Sequence, residues 1–394
     1  MPEKVMFVGA GPYQVKGIER AKEMGMFVVA TDGNPEAPGL EVSDLSYVVD
    51  VKDIDANIEI ARKNSIDGVL SVASEVSVRT VAIISQSLDL PGLEVDVAEK
   101  CTDKALMREA FFGSGVLSPK SYAVSDYQEL LLKKDEIGFP VVIKPTDNSG
   151  SRGVRLVEEV DKLKFAYDKA LEYSEEGTVL IEEYMDGVEV SVEAFIYEGT
   201  MHVVALSDKV RTDPPYLLDK EVIFPSAYNY EVKKQIIREA EKAIKAVGIK
   251  MGPVHMELII TKDGPVPVEL AARGPGFKVF TDIMPAITGI DLLKELILIS
   301  LGQRPNLMKT RNKASVIKFI DTKTGTLKRV SGLEEAKKIN GVYELELYVK
   351  EGDSVHMLTC GADRVGHIIS IADSRKEAEE IVEVAERLLW LEVA

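Results

Sequence analysis

Little in this 394-residue sequence belongs to the chemistry of thiols, imidazoles or basic surfaces. It has 2 cysteines, Cys101 and Cys360, too few for a disulfide framework. Neither lies in a CxxC pair, so zinc-ribbon and dithiol redox chemistry are excluded. The 4 histidines and 1 tryptophan leave little room for histidine-based catalysis. No run of eighteen apolar residues is present, which excludes an expected helical membrane span. The start, Met1-Pro2-Glu3-Lys4, leads into a short strand-like run and not a signal-peptide pattern, so a cytoplasmic location is expected. Positive charge is also short: 48 Lys and Arg against 65 Asp and Glu leave a net charge of −17. Such a surface repels phosphate backbones, so no nucleic-acid partner is expected. A local basic pocket can still bind a nucleotide.

What is present is ordinary globular material, 45% hydrophobic and 29% charged, long enough for two to four domains. The first hundred residues alternate strand and helix: strands at Lys4–Val8, Met26–Thr31, Tyr47–Val51 and Gly68–Val72, helices at Gln14–Met24, Ile54–Lys63 and Val76–Leu88. This rhythm predicts an open parallel sheet. Beyond Val97 the pattern changes. Thr102 is placed to cap a helix reaching Phe112. Strands are expected at Pro140–Lys144, Val154–Val157, Val179–Glu183, Val188–Tyr197 and His202–Lys209, with helices at Asp161–Tyr173, Glu231–Val247 and Asp291–Leu301. The polar stretch Gln303–Asn312 marks a boundary. Strands near Ala314–Ile320, Tyr343–Val349 and Arg364–Ile371, and a helix over Ser374–Leu389, complete the chain.

Val8-Gly9-Ala10-Gly11-Pro12 after the first strand, with Asp32 ending the second, begins like a dinucleotide fingerprint. Gln14 stands where its third glycine belongs, so the bland reading is a tight turn in a doubly wound sheet and the rival is an NAD-dependent oxidoreductase. A stronger local signal is the pair of runs Val254–Ile260 and Val266–Arg273 around Asp263-Gly264, a hairpin. A three-residue loop centred on Asp263 sets Glu257 opposite Glu269, and pairs Leu258 with Val268 and Ile260 with Val266. Opposed carboxylates repel. A hard cation such as Mg²⁺ between them removes that cost. The alternative is two solvated glutamates on an exposed face. Lys144 closes a buried strand just before Thr146–Gly153, a Gly/Ser loop whose N–H groups can fold over phosphates. The competing reading is a hairpin with a snorkelling lysine.

Taken in order across roughly Cys101 to Thr288, these segments resemble the ATP-grasp superfamily. Asp103-Lys104 and Val142-Ile143-Lys144 are similar to its two phosphate-binding lysine segments, and Ser149-Gly150-Ser151-Arg152-Gly153 to its flexible loop. Leu180–Glu189 resembles the hinge and ribose segment, which implies that Glu182, Glu183 and Met185 contact adenine and that Glu189 holds the ribose. Glu257 and Glu269 match the metal carboxylates, and Arg273 the arginine that steadies the reacting group. The fold implied is α/β: a Rossmann-like parallel-sheet domain over 1–97, an ATP-grasp domain over 98–308 and a small α+β C-terminal domain over 309–394.

The sequence departs from the pattern Glu-x-Asn-x-Arg, because Ala271 stands where many members carry a metal-binding asparagine. Together with Gly274-Pro275-Gly276-Phe277 and Val254-His255-Met256-Glu257, this resembles the amino-acid ligase branch. The implied reaction is ATP-dependent carboxylate–amine ligation through an acyl phosphate, with ATP and Mg²⁺ (or Mn²⁺) as cofactors and a small-molecule carboxylate and amine as partners. His255 is a candidate for amine deprotonation, and Arg211 for binding a substrate carboxylate. A homodimer is implied by the family habit. The alternatives are a carboxyphosphate-forming enzyme acting on bicarbonate, as in biotin-carboxylase-like or carbamoyl-phosphate-type members, and a nucleotide-binding module without turnover.

Overall fold

The computed structural model describes residues 2–394. Its first strands, β1 (Lys4–Val8), β2 (Phe27–Asp32), β3 (Leu45–Val48) and β4 (Gly68–Leu70), form a parallel sheet in the order β3-β2-β1-β4. The apolar strands β1, β2 and β4 are buried on both faces, as strands of a covered parallel sheet should be, while edge strand β3 exposes Ser46 and Val48. Helices Pro12–Glu23, Pro38–Val42 and Ile54–Asn64 connect them, and Val78–Ser87 follows β4. Gln14, at the missing glycine position, is buried. Its side chain donates to the Val72 carbonyl and accepts from the Val72 N–H, so it ties the first turn to the end of β4.

An unforeseen helix, Val95–Thr102, leads out of this unit. The next helix, Lys104–Gly113, is capped by Asp103 and not by Thr102. Asp103 accepts from the N–H groups of Ala105 and Leu106, whereas Thr102 still belongs to the preceding helix, where its hydroxyl bonds back to Ala98. A second small sheet follows. It holds β5 (Ser121–Val124), β6 (Val141–Pro145), β7 (Arg155–Val157) and β8 (Val179–Glu183), in the order β5-β8-β6-β7.

The largest sheet has eight strands. Five are β9 (Val188–Tyr197), β10 (Thr200–Arg211), β11 (Asp219–Phe224), β12 (Gly252–Thr261) and β13 (Gly264–Ala271). Of the last six strands, β14 (Ala314–Phe319), β15 (Gly325–Ser331), β16 (Val342–Leu347), β17 (Ser354–Val355), β18 (Gly366–Ala372) and β19 (Trp390–Val393), three join it. The order is β13-β12-β9-β10-β11-β14-β18-β16, while β17, β15 and β19 form a separate small sheet. Strand β11, absent from the sequence reading, joins the central strands to the C-terminal ones. It pairs Glu221–Phe224 with Ser315–Lys318.

The two faces of β9 explain where chemistry can sit. Val190, Val192, Ala194 and Ile196 point one way and share a core with Val254, Met256, Leu258 and Leu270. Helix Tyr230–Val247 covers that core with Ile236, Ala240, Ala243, Ile244 and Val247, the spacing of an amphipathic stripe. Period-2 alternation then sends Glu189, Ser191 and Glu193 to the opposite face, where all three are buried. Buried carboxylates need partners, and that face supplies them.

Candidate active site

The β12–β13 hairpin brings Glu257 opposite Glu269, as expected, but by a different route. Thr261 pairs with Gly264, so the turn has two residues, Lys262 and Asp263, not three. Leu258 therefore pairs with Pro267 and Ile260 with Pro265. An unbroken ladder would next pair Glu257 with Val268 and turn Glu269 to the core. A β-bulge at Val268 prevents this by adding one residue to β13. Arg108, from helix Lys104–Gly113, donates to the Val268 carbonyl at 2.6 Å and so occupies the group the bulge leaves free.

Two cavities meet at this pair of glutamates. The first is lined by Lys104, Lys144, Glu182, Met185, Glu189 and Arg211, among others. Ser149, Gly150, Ser151, Asp219, Glu257 and Glu269 line both. The second has a volume of about 360 Å³ and adds His255, Arg273, Glu75 and a belt of Val222, Phe224, Phe277, Val279, Ile317 and Phe319. The Gly/Ser loop and the two glutamates are thus a common wall. Gly150 has φ +70 and open space at its Cβ position, so glycine is required there by conformation and not by crowding. Gly153 lies outside both linings and packs against Tyr173 and Ala170.

Two cations of the first cavity, Lys144 and Arg211, are held by buried carboxylates. Lys144 Nζ lies 2.6 Å from Glu182, which also takes Arg108 at 2.9 Å. Burial pulls Lys144 below its ordinary value, against the attraction of Glu182. Burial alone would raise Glu182, but Arg108 and Lys144 hold it below the usual carboxylate range. Its carboxylate, expected at adenine, is thus occupied by two cations. Glu183 and Met185 follow on the same wall. Lys104 Nζ is 3.0 Å from Glu269 and donates to the Asn148 carbonyl at 2.7 Å, which ties the helix start to the Gly/Ser loop.

Lys209, which sequence reasoning passed over, is central. Its buried ammonium contacts Glu257, Glu189 at 2.9 Å and Asp219 at 3.4 Å. Burial opposes its charge, yet Asp219, Glu189 and Glu257 together raise it well above its ordinary value. Burial likewise opposes Glu257, which Lys209 and His255 hold well below the carboxylate range. Arg211 pairs with Glu189 at 2.7 Å on the wall of the first cavity, not in the second.

In the second cavity His255 Nδ1 lies 2.9 Å from Glu193, and Nε2 3.4 Å from Glu257. Burial lowers the imidazole, but the two carboxylates outweigh it and hold it at about 9. It is therefore charged at neutral pH and has no free lone pair for a proton. Arg273 is paired with Glu75, from the end of the parallel-sheet unit, and donates to the Gly274 carbonyl. Gly274 is fixed by space: a Cβ there would meet Phe280 at 2.2 Å. Of the residues not foreseen, Ser191, Glu193 and Lys209 share a sheet face with named site residues, so strand alternation could have found them. Glu75 and Arg108 come from other segments and carried no such signal.

Four hard oxygens on two opposed glutamates suit Mg²⁺ or Mn²⁺. Two ammonium groups, Lys104 and Lys209, already balance those carboxylates. Ala271 has no ligand atom, so the donor set rests on Glu257 and Glu269.

A lysine-lined cavity closed by a Gly/Ser loop and a carboxylate hairpin is the arrangement of the ATP-grasp class, and the comparisons agree. Residues 137–282 match the ATP-grasp domain, and residues 318–394 match the L-amino acid ligase C-terminal domain 2. The chain thus carries an ATP-grasp domain followed by a segment similar to the C-terminal domain of L-amino acid ligases. An uncharacterised protein of Sinorhizobium fredii is 29% identical over 352 residues, covering 87% of this chain and 72% of that protein. The alanine–anticapsin ligase of Bacillus subtilis is 26% identical over 276 residues, 64% of this chain and 58% of the ligase, so the match spans little more than half of that relative. Among solved structures, the L-amino acid ligase from Bacillus licheniformis superposes with TM-score 0.85 at 22% identity, covering 100% of this chain and 99% of that one. N5-carboxyaminoimidazole ribonucleotide synthetase from Thermotoga maritima gives 0.73 at 20% identity, covering 100% of both. These superpositions speak for the fold. No helix among the described residues is long and apolar enough to cross a membrane.

Proposed function

We propose that the chain is an ATP-dependent carbon–nitrogen ligase that joins two amino acids, or an amino acid and a related acid, through an acyl phosphate. The observation that carries this reading is the shared wall. One cavity suits a triphosphate, the other suits an organic substrate, and Glu257, Glu269 and the loop Ser149–Ser151 separate them.

In the first step a substrate carboxylate oxygen attacks the γ-phosphorus, the bond from γ-phosphorus to bridging oxygen breaks, and ADP leaves. In the second, an amine attacks the acyl carbon, inorganic phosphate departs and the amine loses a proton. Little covalent chemistry is asked of the protein, which positions the partners and neutralises charge. Lys104 and Lys144 bind phosphate oxygens. A divalent cation on Glu257 and Glu269 would screen charge on the transferring phosphoryl group. Arg273 steadies the carboxylate and then the oxyanion at the acyl carbon. His255, already charged, serves as a donor that orients substrate, and the role of amine base is not assigned to it. The Gly/Ser loop keeps water from the acyl phosphate.

The belt of Phe277, Phe319, Phe224 and Val222 favours an amino acid with an apolar side chain over bicarbonate, which has no apolar surface to bury. ADP release over a panel of amino acids and carboxylic acids, with hydroxylamine present, tests the reading. A hydroxamate identifies the activated acid. ADP release driven by bicarbonate alone, with no hydroxamate from any amino acid, overturns it.

A further inference from the structure

The second cavity holds three cationic side chains besides His255, and two have carboxylate partners. Lys209 touches three carboxylates, and Arg273 is paired with Glu75. The third, Arg364, comes from the segment just before β18. Among the described residues no carboxylate oxygen lies within ion-pair distance of it, although the cavity is rich in carboxylates. Its guanidinium lies over the Phe319 ring, with Cζ 3.3 Å from the centroid, and Nη2 donates to the backbone carbonyl of Asp219 at 3.0 Å. Nε is buried without a partner.

The side chain is thus fixed flat against an aromatic wall, charged, and short of an anion. A guanidinium stays charged at any physiological pH, and a partly buried one without a counterion is costly. Stacking and one neutral carbonyl do not replace a carboxylate, whose two oxygens match its planar donor fork. Beside Arg364, Phe277 packs edge-on against Phe319, with ring centroids 4.6 Å apart. Phe277 and Lys278 both hold positive φ, of 49 and 61. Backbone strain of this kind persists only where the surroundings enforce it. Here it presents an aromatic side chain to the cavity next to the free cation.

We infer that Arg364 seats a carboxylate of the amine substrate, making that substrate an amino acid with a free carboxylate whose apolar part lies against Phe277 and Phe319. This rests on the ligase reading above. It adds that the C-terminal segment selects the acceptor, while Arg273 serves the reacting carboxyl. The seated group is the acceptor's own α-carboxylate.

The test fixes the donor as the acid identified by hydroxamate formation. It then compares kcat/KM for L-methionine and L-phenylalanine as acceptors with their α-amides, in the wild type and in Arg364→Gln, which keeps a planar donor for the Asp219 carbonyl. The wild type should prefer acid over amide by about 10- to 100-fold, the scale of a charge-assisted hydrogen bond, carried mainly in KM. Arg364→Gln should bring that ratio close to one, and Arg364→Lys should restore part of it. The α-amide of glutamate, which keeps only a side-chain carboxylate, should be as poor an acceptor as the other amides, and full activity with it would overturn the assignment to the α-carboxylate. Should the substituted chains not fold, thermal melting of the wild type with a non-hydrolysable ATP analogue and saturating donor acid decides, since further free acids should then raise the midpoint and α-amides should not. An unchanged acid-to-amide ratio in Arg364→Gln, or equal melting shifts from acids and amides, overturns the inference alone. Failure of the wild type to form any hydroxamate overturns the ligase reading, and this inference with it.

Discussion

Glu257 and Glu269 stand directly opposite each other because Val268 bulges out of β13 and Arg108 holds its carbonyl. One extra residue thus decides whether the second glutamate faces the site or the core. Glu269→Gln keeps the shape and removes one charge. We expect turnover to fall at least about 100-fold with the melting temperature nearly unchanged, in the range of effects seen when one electrostatic contact to the transition state is lost. Steady-state ADP release over a Mg²⁺ titration checks this. Near-wild-type kcat at saturating Mg²⁺ would remove Glu269 from the metal site.

Lys144 is prepared for phosphate by Glu182 and Arg108, all buried together. Lys144→Ala should weaken ATP binding about 10- to 100-fold in calorimetry, as the loss of one charge-assisted contact would. Unchanged affinity would place that lysine outside the nucleotide site.

Glu182→Gln leaves Arg108 and Lys144 without a full counterion. Removing one partner of a buried pair costs about 3–5 kcal/mol. Glu182 is held below the ordinary carboxylate value of 4.5, so its stabilisation is complete above that pH. It is lost as pH falls through the depressed folded value. Urea midpoints of wild type and Glu182→Gln should therefore differ most above about pH 4.5 and converge at lower pH. A gap independent of pH would contradict the assignment.

Gly274→Ala probes the turn that carries Arg273. Its methyl would overlap the Phe280 ring, and overpacking of this kind costs about 1–3 kcal/mol. Because Arg273 donates to the Gly274 carbonyl, kcat should fall together with stability. A fully stable, fully active variant would show that the ring moves aside freely.

Much of this was legible in the sequence because it is local. The parallel βα rhythm, the helix over Tyr230–Val247 and the glutamate hairpin follow from periodicity and turn chemistry. The hairpin register was reached with the wrong turn length, since a bulge carries no distinctive composition. Strand β11, with its run Asp219–Phe224, follows a proline-containing loop and shows no clean alternation. What stayed illegible is the pairing across distance. Arg108 with Glu182, Arg273 with Glu75 and the approach of Arg364 to Asp219 join residues 74, 198 and 145 positions apart. Only the folded chain fixes such distances.

The central claim is that a substrate carboxylate oxygen becomes bonded to the γ-phosphorus of ATP. Incubating the chain with ATP, Mg²⁺, an acceptor and an ¹⁸O-carboxylate donor, then reading inorganic phosphate by ³¹P NMR, tests it most directly. The account predicts one ¹⁸O in each phosphate released with product. Phosphate free of ¹⁸O alongside continuing product formation would contradict it.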